Sequence, residues 1–501
     1  MRIAKNMAAA MANSVVVALI NILALPFYLR YLGMEAYGLI GFYAMLQAVL
    51  QVLDVGLAPT VSREIAHNAE VGEQRRSASL LRTLGVVYLG VAFAIATFVA
   101  LASPWIGAHW LQAKQLPEVT VVQAVALMGL NLACRWPISL YNGALIGAHR
   151  LSLSSAVSIT INIAAAVTTI CVLAFGPRSI LVFFLVQAAF GLLYAMVIRN
   201  VARHVIGERD APCDFGDLRR VWRFSAWMGG VAITSLFFTQ LDKVLLSNLI
   251  NLESFGHYML AVLLVSGIQI VIGPVFSVIY PKFTTLLARN DQSSLARFYS
   301  DTSRMFAAVV FSLALGLALH TRAIVTLWTG RPDVALDVAP IVALLATGSA
   351  LNGIMYFPYA LQIASGRPRI PFTINTVLLA LAVPTIVWLV TREGAIGGAL
   401  SWAMLSVLYV IVGTVVTGQR IAEFAGVRWI SRDIAVPLLL ALVPALVGAW
   451  LGDAINASVW IDTLVGIFAG CIGIVAGALY SPFARQWARA FLGVQRRSCP
   501  K

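Results

Sequence analysis

The chain has 501 residues, of which 60% are hydrophobic and 11% charged, with a net charge of +14 and a mean hydropathy of +0.87. Soluble domains average about 25% charged residues, so this composition excludes a soluble globular protein and points to a polytopic membrane protein. The positive charge, which in a soluble chain would suggest nucleic acid, is instead accounted for by the placement of loops, and no nucleic-acid partner is expected.

Apolar runs predict an all-α protein of about 14 transmembrane helices, at approximately 8–30, 37–58, 83–104, 119–147, 152–175, 180–199, 224–250, 255–280, 305–328, 338–364, 371–390, 395–417, 434–452 and 458–481. The first run, Met7 to Tyr31, is long enough to span and leads into further spans, so it reads as a retained helix and not a cleaved signal. Of the 35 lysines and arginines, 27 fall on the side of the N-terminus and six on the other, while Arg135 and Lys243 lie inside spans. The asymmetry places both termini in the cytoplasm. The five cysteines (Cys134, Cys171, Cys213, Cys471 and Cys499) have no paired spacing and suggest neither a disulfide framework nor a metal site.

Two short matches reveal an internal repeat. The turn Gly33 to Gly38, GMEAYG, aligns with Asn251 to Gly256, NLESFG, at an offset of 218, and Gly147 to Arg150 aligns with Gly366 to Arg369 at 219. Six spans separate the matched points, so the halves share one orientation and are related by a parallel pseudo-two-fold axis. The expected organisation is an N-lobe of six spans at 1–205, a cytoplasmic inter-lobe loop at 206–222, a C-lobe of six spans at 223–420, and two extra C-terminal spans with a basic tail at 421–501. The segment Thr60 to Arg82 spaces Val61, Ile65 and Leu80 among charges and reads either as an amphipathic interfacial helix or as a solvated loop.

Ionisable residues inside spans are expensive and usually functional, and four stand out: Asp54, Arg135, Asp242 and Lys243. Arg135 lies 17 residues from Glu118 and 15 from Arg150, near the middle of its span, and Pro137 two residues on is expected to break the helix beside it and to bias Trp136 away from helical angles. A guanidinium stays charged when desolvated and grips phosphate with a planar fork, so Arg135 suits an anionic headgroup. It could instead brace the N-lobe by pairing with Asp54 or Asp242. The position aligned with it, Ile354, is apolar. Asp54 could carry a coupling proton or sodium ion, or simply bond a helix end. Asp242 and Lys243, adjacent on a helix, point about 100° apart and are expected to need separate partners. Lys243 either snorkels outward or stands beside Arg135 as a second cation. Arg30 and Arg150 at span ends could guide the cargo, and Trp136, Tyr141, Asn142, Asn131 and Gln240 could contact sugars or merely pack.

The turn YLGMEAYG (31–38), the run Asp54 to Pro59 followed by Ser62 to Ala66, Gly147 to Arg150, and Leu241 to Leu246 before NLESFG resemble the polysaccharide transporter family over about residues 1 to 420. This family holds the Wzx-type flippases of lipid-linked oligosaccharides, within the superfamily shared with multidrug and toxin extrusion transporters. The resemblance implies two six-helix lobes, alternating access, and an undecaprenyl-pyrophosphate-linked glycan as cargo in the bacterial cytoplasmic membrane. It also implies working partners in a polysaccharide polymerase and export machinery, membrane lipids around the protein, and no cofactor beyond proton or sodium coupling. The competing reading is an ion-coupled multidrug exporter, but a core with two bases for two acids suits cationic cargo poorly. An enzyme of glycan assembly is not expected, since the longest outer loops, near 105–118 and 329–337, are short and poor in acids and histidines.

Overall fold

Lipid offers no hydrogen-bond partner, so a backbone that crosses it must satisfy its amides locally, as a helix does. The computed structural model describes residues 2–54, 57–207, 240–455 and 457–480, which are helical apart from short connections. Among the described residues, eleven helices are long and apolar enough to cross a membrane. The chain is an all-α polytopic membrane protein. Most of the expected inter-lobe loop, the first part of the seventh expected span at 224–239, and the basic tail from 481 onward lie outside the described residues. The residues group into two compact units, Met1–Gly256 and His257–Lys501.

The first unit runs through α1 (Arg2–Leu32), α2 (Met34–Asp54), α3 (Leu57–Val71), α4 (Gln74–Trp105), α5 (Glu118–Arg135), α6 (Pro137–Gly147), α7 (Leu151–Phe175), α8 (Ile180–Ile206) and a helix at 240–249, α9. Gly33, with φ of 86°, makes the tight turn between α1 and α2. Helix α5 packs on α4 and α8, α1 on α7, and α3 on α6. The side chains Phe93, Phe98 and Leu101 of α4 are exposed, as lipid-facing residues should be.

The second unit continues from α10 (Leu252–Ala288) into α11 (Gln292–Thr329), α12 (Pro332–Ile354), α13 (Tyr356–Ala364), α14 (Arg369–Arg420), the short α15 (Val427–Trp429) with a π turn at Ile430–Ile434, α16 (Ala435–Ala454) and α17 (Val459–Tyr480). Helix α14 merges the eleventh and twelfth expected spans. Gly394 inside it has φ 58° and ψ −134°, angles open chiefly to glycine, so the element is two helical arms across a kink. Helix α11 packs against α12, α16 and α17.

The expected break beside Arg135 is present, for a narrower reason than anticipated. Trp136 keeps helical angles (φ −53°, ψ −46°) and its N–H still donates to the Leu132 carbonyl at 2.9 Å. What interrupts the ladder between α5 and α6 is Pro137, which has no N–H to give. In the second unit Met355 separates α12 from α13, 219 residues after Trp136.

The segment Thr60 to Arg82 forms most of α3 and the start of α4, and α3 is amphipathic as expected, with Arg63, His67 and Glu70 exposed; its apolar residues Val61 and Ile65, with Leu80 of α4, do not face outward but are buried in the core of the first unit. Glycines of α6 make this possible. A Cβ on Gly143 would stand 2.7 Å from the Ala58 carbonyl, and one on Gly147 would run into the Ser62 carbonyl, so α6 closes directly onto the backbone of α3.

The two repeated turn sequences also meet within the first unit. A Cβ on Gly256 would stand 2.7 Å from the Met34 carbonyl and 3.2 Å from the Gly38 nitrogen. Beside this seam the Leu252 N–H donates to the Gln112 carbonyl at 2.9 Å and the Trp110 indole donates to Ser247 at 3.0 Å. Buried Glu35 accepts from the backbone N–H groups of Lys114, Gln115 and Leu116, which fixes the connection that leads into α5.

Candidate functional site

The site is built from two polar stripes on otherwise apolar helices. On α2, Gln47, Gln51 and Asp54 fall at i, i+4 and i+7; across the α5–α6 break, Arg135, Ser139 and Asn142 repeat the same spacing. Residues at those intervals share one helix face. Both stripes line one cavity of about 260 Å³, closed by Leu50, Leu132, Trp136, Ile138 and Tyr194.

Arg135 supplies the cation. Its Nη2 donates to Gln187 Oε1 at 3.1 Å, and Gln187 Nε2 reaches Thr169 Oγ1 at 3.4 Å, so a neutral amide orients the guanidinium. Its Nε is buried without a hydrogen-bond partner. Its stem lies on Gly191, where a Cβ would come 3.1 Å from Arg135 Cγ, so any larger residue there would push the stem outward by a few tenths of an ångström. Among the described residues no carboxylate comes within 4 Å of it, so the alternative of an Arg135 brace paired with Asp54 is not what the structure shows.

Asp54 supplies the anion. It is buried and accepts a hydrogen bond from the Tyr88 hydroxyl, with the Ser139 hydroxyl also acting on it. The Tyr88 ring stands 5.9 Å from that of Trp136, which ties the α4 side of the site to the break. The cavity therefore holds one charge of each sign, held apart, among amides and hydroxyls.

Other expected residues lie elsewhere. Tyr141 is only 3% exposed, inside the apolar core with Leu84 and Leu145, and does not line the cavity. Asn131 is wholly buried and accepts from the Tyr43 hydroxyl at 3.0 Å, whereas Asn142 does line the cavity and accepts from Ser154 at 2.6 Å. Arg30 and Arg150 are exposed at helix ends, away from the cavity lining, and Gln240 is partly buried at the start of α9. Asp242 and Lys243, expected to point too far apart to meet, pair with each other at 3.1 Å. Backbone neighbours on a helix do diverge, but the four-carbon lysine stem is long enough to curl back to the adjacent carboxylate. Lys243 is not among the described residues lining the Arg135 cavity.

Sequence reasoning passed over Gln47, Gln51, Ser139, Tyr194, Tyr88 and Gln187. For the first three a signal existed, the recurrence of polar residues at four and three within apolar helices. Tyr88 and Gln187 carry no such mark, since neither has another polar residue three or four positions away.

A family model described as polysaccharide biosynthesis protein matches residues 3–287. The chain is 21% identical over 421 residues to a Shigella flexneri protein that carries the name of an O-antigen transporter, covering 81% of this chain and 96% of that one. Among solved structures, the lipid II flippase MurJ in an inward closed conformation is similar with a TM-score of 0.67 at 11% identity, over 97% of this chain and 99% of that chain. An inward-facing multidrug resistance transporter of the MATE family, in the MOP superfamily, gives 0.61 at 14% identity over 81% and 95%. At these identities the structural likeness is one of fold.

Proposed function

The chain belongs to the polysaccharide biosynthesis protein family and is a membrane transporter, not an enzyme; from that premise we propose that it flips an undecaprenyl-pyrophosphate-linked oligosaccharide across the bacterial cytoplasmic membrane. In this reading both termini are cytoplasmic, and the cargo is released by alternating access to polymerase and export machinery for a surface polysaccharide.

The observation that carries the reading is Arg135. It is a cation on a cavity wall near the middle of a span, oriented by a neutral amide and left with an unpartnered Nε. A guanidinium with free donors suits a pyrophosphate, which accepts several charge-assisted hydrogen bonds at once. The cavity, at about 260 Å³, is smaller than the ~300–1,000 Å³ of drug-sized sites, so it suits the diphosphate alone, with the glycan extending beyond it. Asp54 on the same cavity is the coupling group, taking a proton or a sodium ion in one half of the cycle. Cationic drugs are the poorer cargo, because the Arg135 guanidinium repels them and the carboxylate that shares the cavity, Asp54, is engaged by the Tyr88 hydroxyl.

Complementation of a flippase-deficient strain tests this. At matched membrane expression the wild type restores surface glycan, Arg135→Ala abolishes it and Arg135→Lys retains part. Wild-type levels of glycan from Arg135→Ala would sink the proposal.

A further inference from the structure

We infer that the second unit carries a site for the phosphate of an anionic phospholipid, on the side that the charge count assigns to the cytoplasm, between α11 and the residues leading into α16. A cleft of about 690 Å³ opens there, with Arg297, Ser300 and Arg304 from α11 on one wall and Arg428, Trp429 and Arg432 on the other.

The floor of the cleft is internally satisfied. Asp433 accepts from Arg304 Nε at 2.7 Å through one oxygen and from the Ser300 hydroxyl at 2.6 Å through the other. The Arg304 guanidinium also lies 5.3 Å from the Tyr480 ring, and the Trp429 indole donates to Ser303 at 2.8 Å. Arg304 and Asp433 are both buried and cancel each other's charge. The rim is different. Arg297, Arg428 and Arg432 are exposed, and among the described residues no carboxylate lies within 4 Å of Arg297 or Arg432. Arg428 meets Glu423 only at 3.8 Å, with both side chains about nine-tenths exposed, so water can replace that contact readily. The remaining acid, Asp301, is drawn toward Arg304 at 3.8 Å. Across the cleft four arginines meet three carboxylates, and the surplus cation is carried by the exposed rim.

What lies next to the rim selects a lipid. Helix α16 exposes Leu439, Val443, Val447 and Trp450, at i, i+4, i+8 and i+11 on one face, which is a surface for acyl chains. Arg432 precedes Leu439 by seven residues, ~10 Å along a helix, so chains lying on that face bring a phosphate to the rim. Basic pockets at the cytoplasmic ends of spans take anionic headgroups in this way. The site gives a purpose to the two spans outside the repeat, and it stands independently of the cargo assigned to Arg135.

The test uses the full-length protein purified in detergent and titrated with short-chain phosphatidylglycerol, with phosphatidylcholine and with sodium pyrophosphate, read by native mass spectrometry and by thermal unfolding. Phosphatidylglycerol is expected to bind and to raise the unfolding temperature, and the other two are not. One interfacial arginine is worth roughly fivefold in affinity, so Arg428→Gln with Arg432→Gln should weaken phosphatidylglycerol binding about 25-fold. Arg297→Gln, on the opposite wall, provides an independent variant should the double variant unfold, and should weaken binding about fivefold by the same reasoning. Unchanged binding in the folded variants, or equal binding of phosphatidylcholine, overturns the site. Pyrophosphate binding as tightly as phosphatidylglycerol would show a free-anion site and overturn the lipid assignment.

Discussion

Replacing Arg135 by alanine should destroy cargo binding while leaving the fold about as stable as before. An arginine near the bilayer centre carries a penalty of about 2.5–3.5 kcal/mol, which alanine relieves. Against this stands the lost hydrogen bond from the guanidinium to Gln187 at 3.1 Å, worth about 1.5–3 kcal/mol for a charged donor. The two largely offset, so by those figures the net change lies between about 2 kcal/mol of stabilisation and about 0.5 kcal/mol of destabilisation. A brace in a buried ion pair would behave differently, since removing one partner of such a pair costs about 3–5 kcal/mol. Binding moves the other way. Loss of two charge-assisted bonds to a pyrophosphate, at about 1.5–3 kcal/mol each, weakens affinity by about 10² to 10⁴. Lysine restores a point charge without the fork and should recover about half of that energy. The assay measures the unfolding temperature in one detergent and calorimetric binding of a lipid-pyrophosphate analogue at fixed salt. Binding within threefold of wild type, or a destabilisation of ~3 kcal/mol or more of the kind expected of a broken ion pair, would refute the reasoning.

Three further perturbations probe the surrounding structure. Gly256→Val directs a branched side chain at the Met34 carbonyl, 2.7 Å from a Cβ there, and should destabilise the protein by about 1–3 kcal/mol through overpacking; an unchanged unfolding temperature would show that the two turns do not pack as described. Asp54→Asn keeps an acceptor for the Tyr88 hydroxyl but removes the titratable charge, so transport into proteoliposomes should lose its dependence on a proton or sodium gradient at equal protein content. Persistence of that dependence would move coupling to another residue. Asp433→Asn takes from buried Arg304 its close counter-ion at 2.7 Å and leaves only Asp301 at 3.8 Å, so it should cost up to about 3–5 kcal/mol, while adding Arg304→Met should return most of it; a double-mutant cycle of unfolding energies with no coupling between the two would contradict the buried pair.

Much of the fold was legible because the membrane imposes one cost along the whole chain. Every apolar run had to become a helix, and Arg135 beside Pro137 stood out because both features are expensive in such a run. The candidate site was legible in part. Arg135, Asp54, Trp136 and Asn142 were named and do line one cavity, and the spacing that joins them to Gln47, Gln51 and Ser139 was available in the residues but not read. The positions of Tyr141 and Asn131 were not legible, since a polar residue in an apolar helix looks the same whether it faces a cavity or a neighbouring helix. Nor was the pairing of Asp242 with Lys243, which depends on how a flexible stem curls.

The amino-acid sequence by itself determined that this is a helical membrane protein, roughly where its spans lie, and which charges are costly enough to matter. Hydropathy and charge act residue by residue, so no knowledge of neighbours was required. Only the tertiary structure decided which faces of those spans meet. It set Gly191 under the Arg135 stem, Gly143 and Gly147 against the backbone of α3, and a neutral Gln187 where a carboxylate could have stood. These are contacts between segments distant in sequence, and helix rotation and approach are set by packing, which no single span encodes.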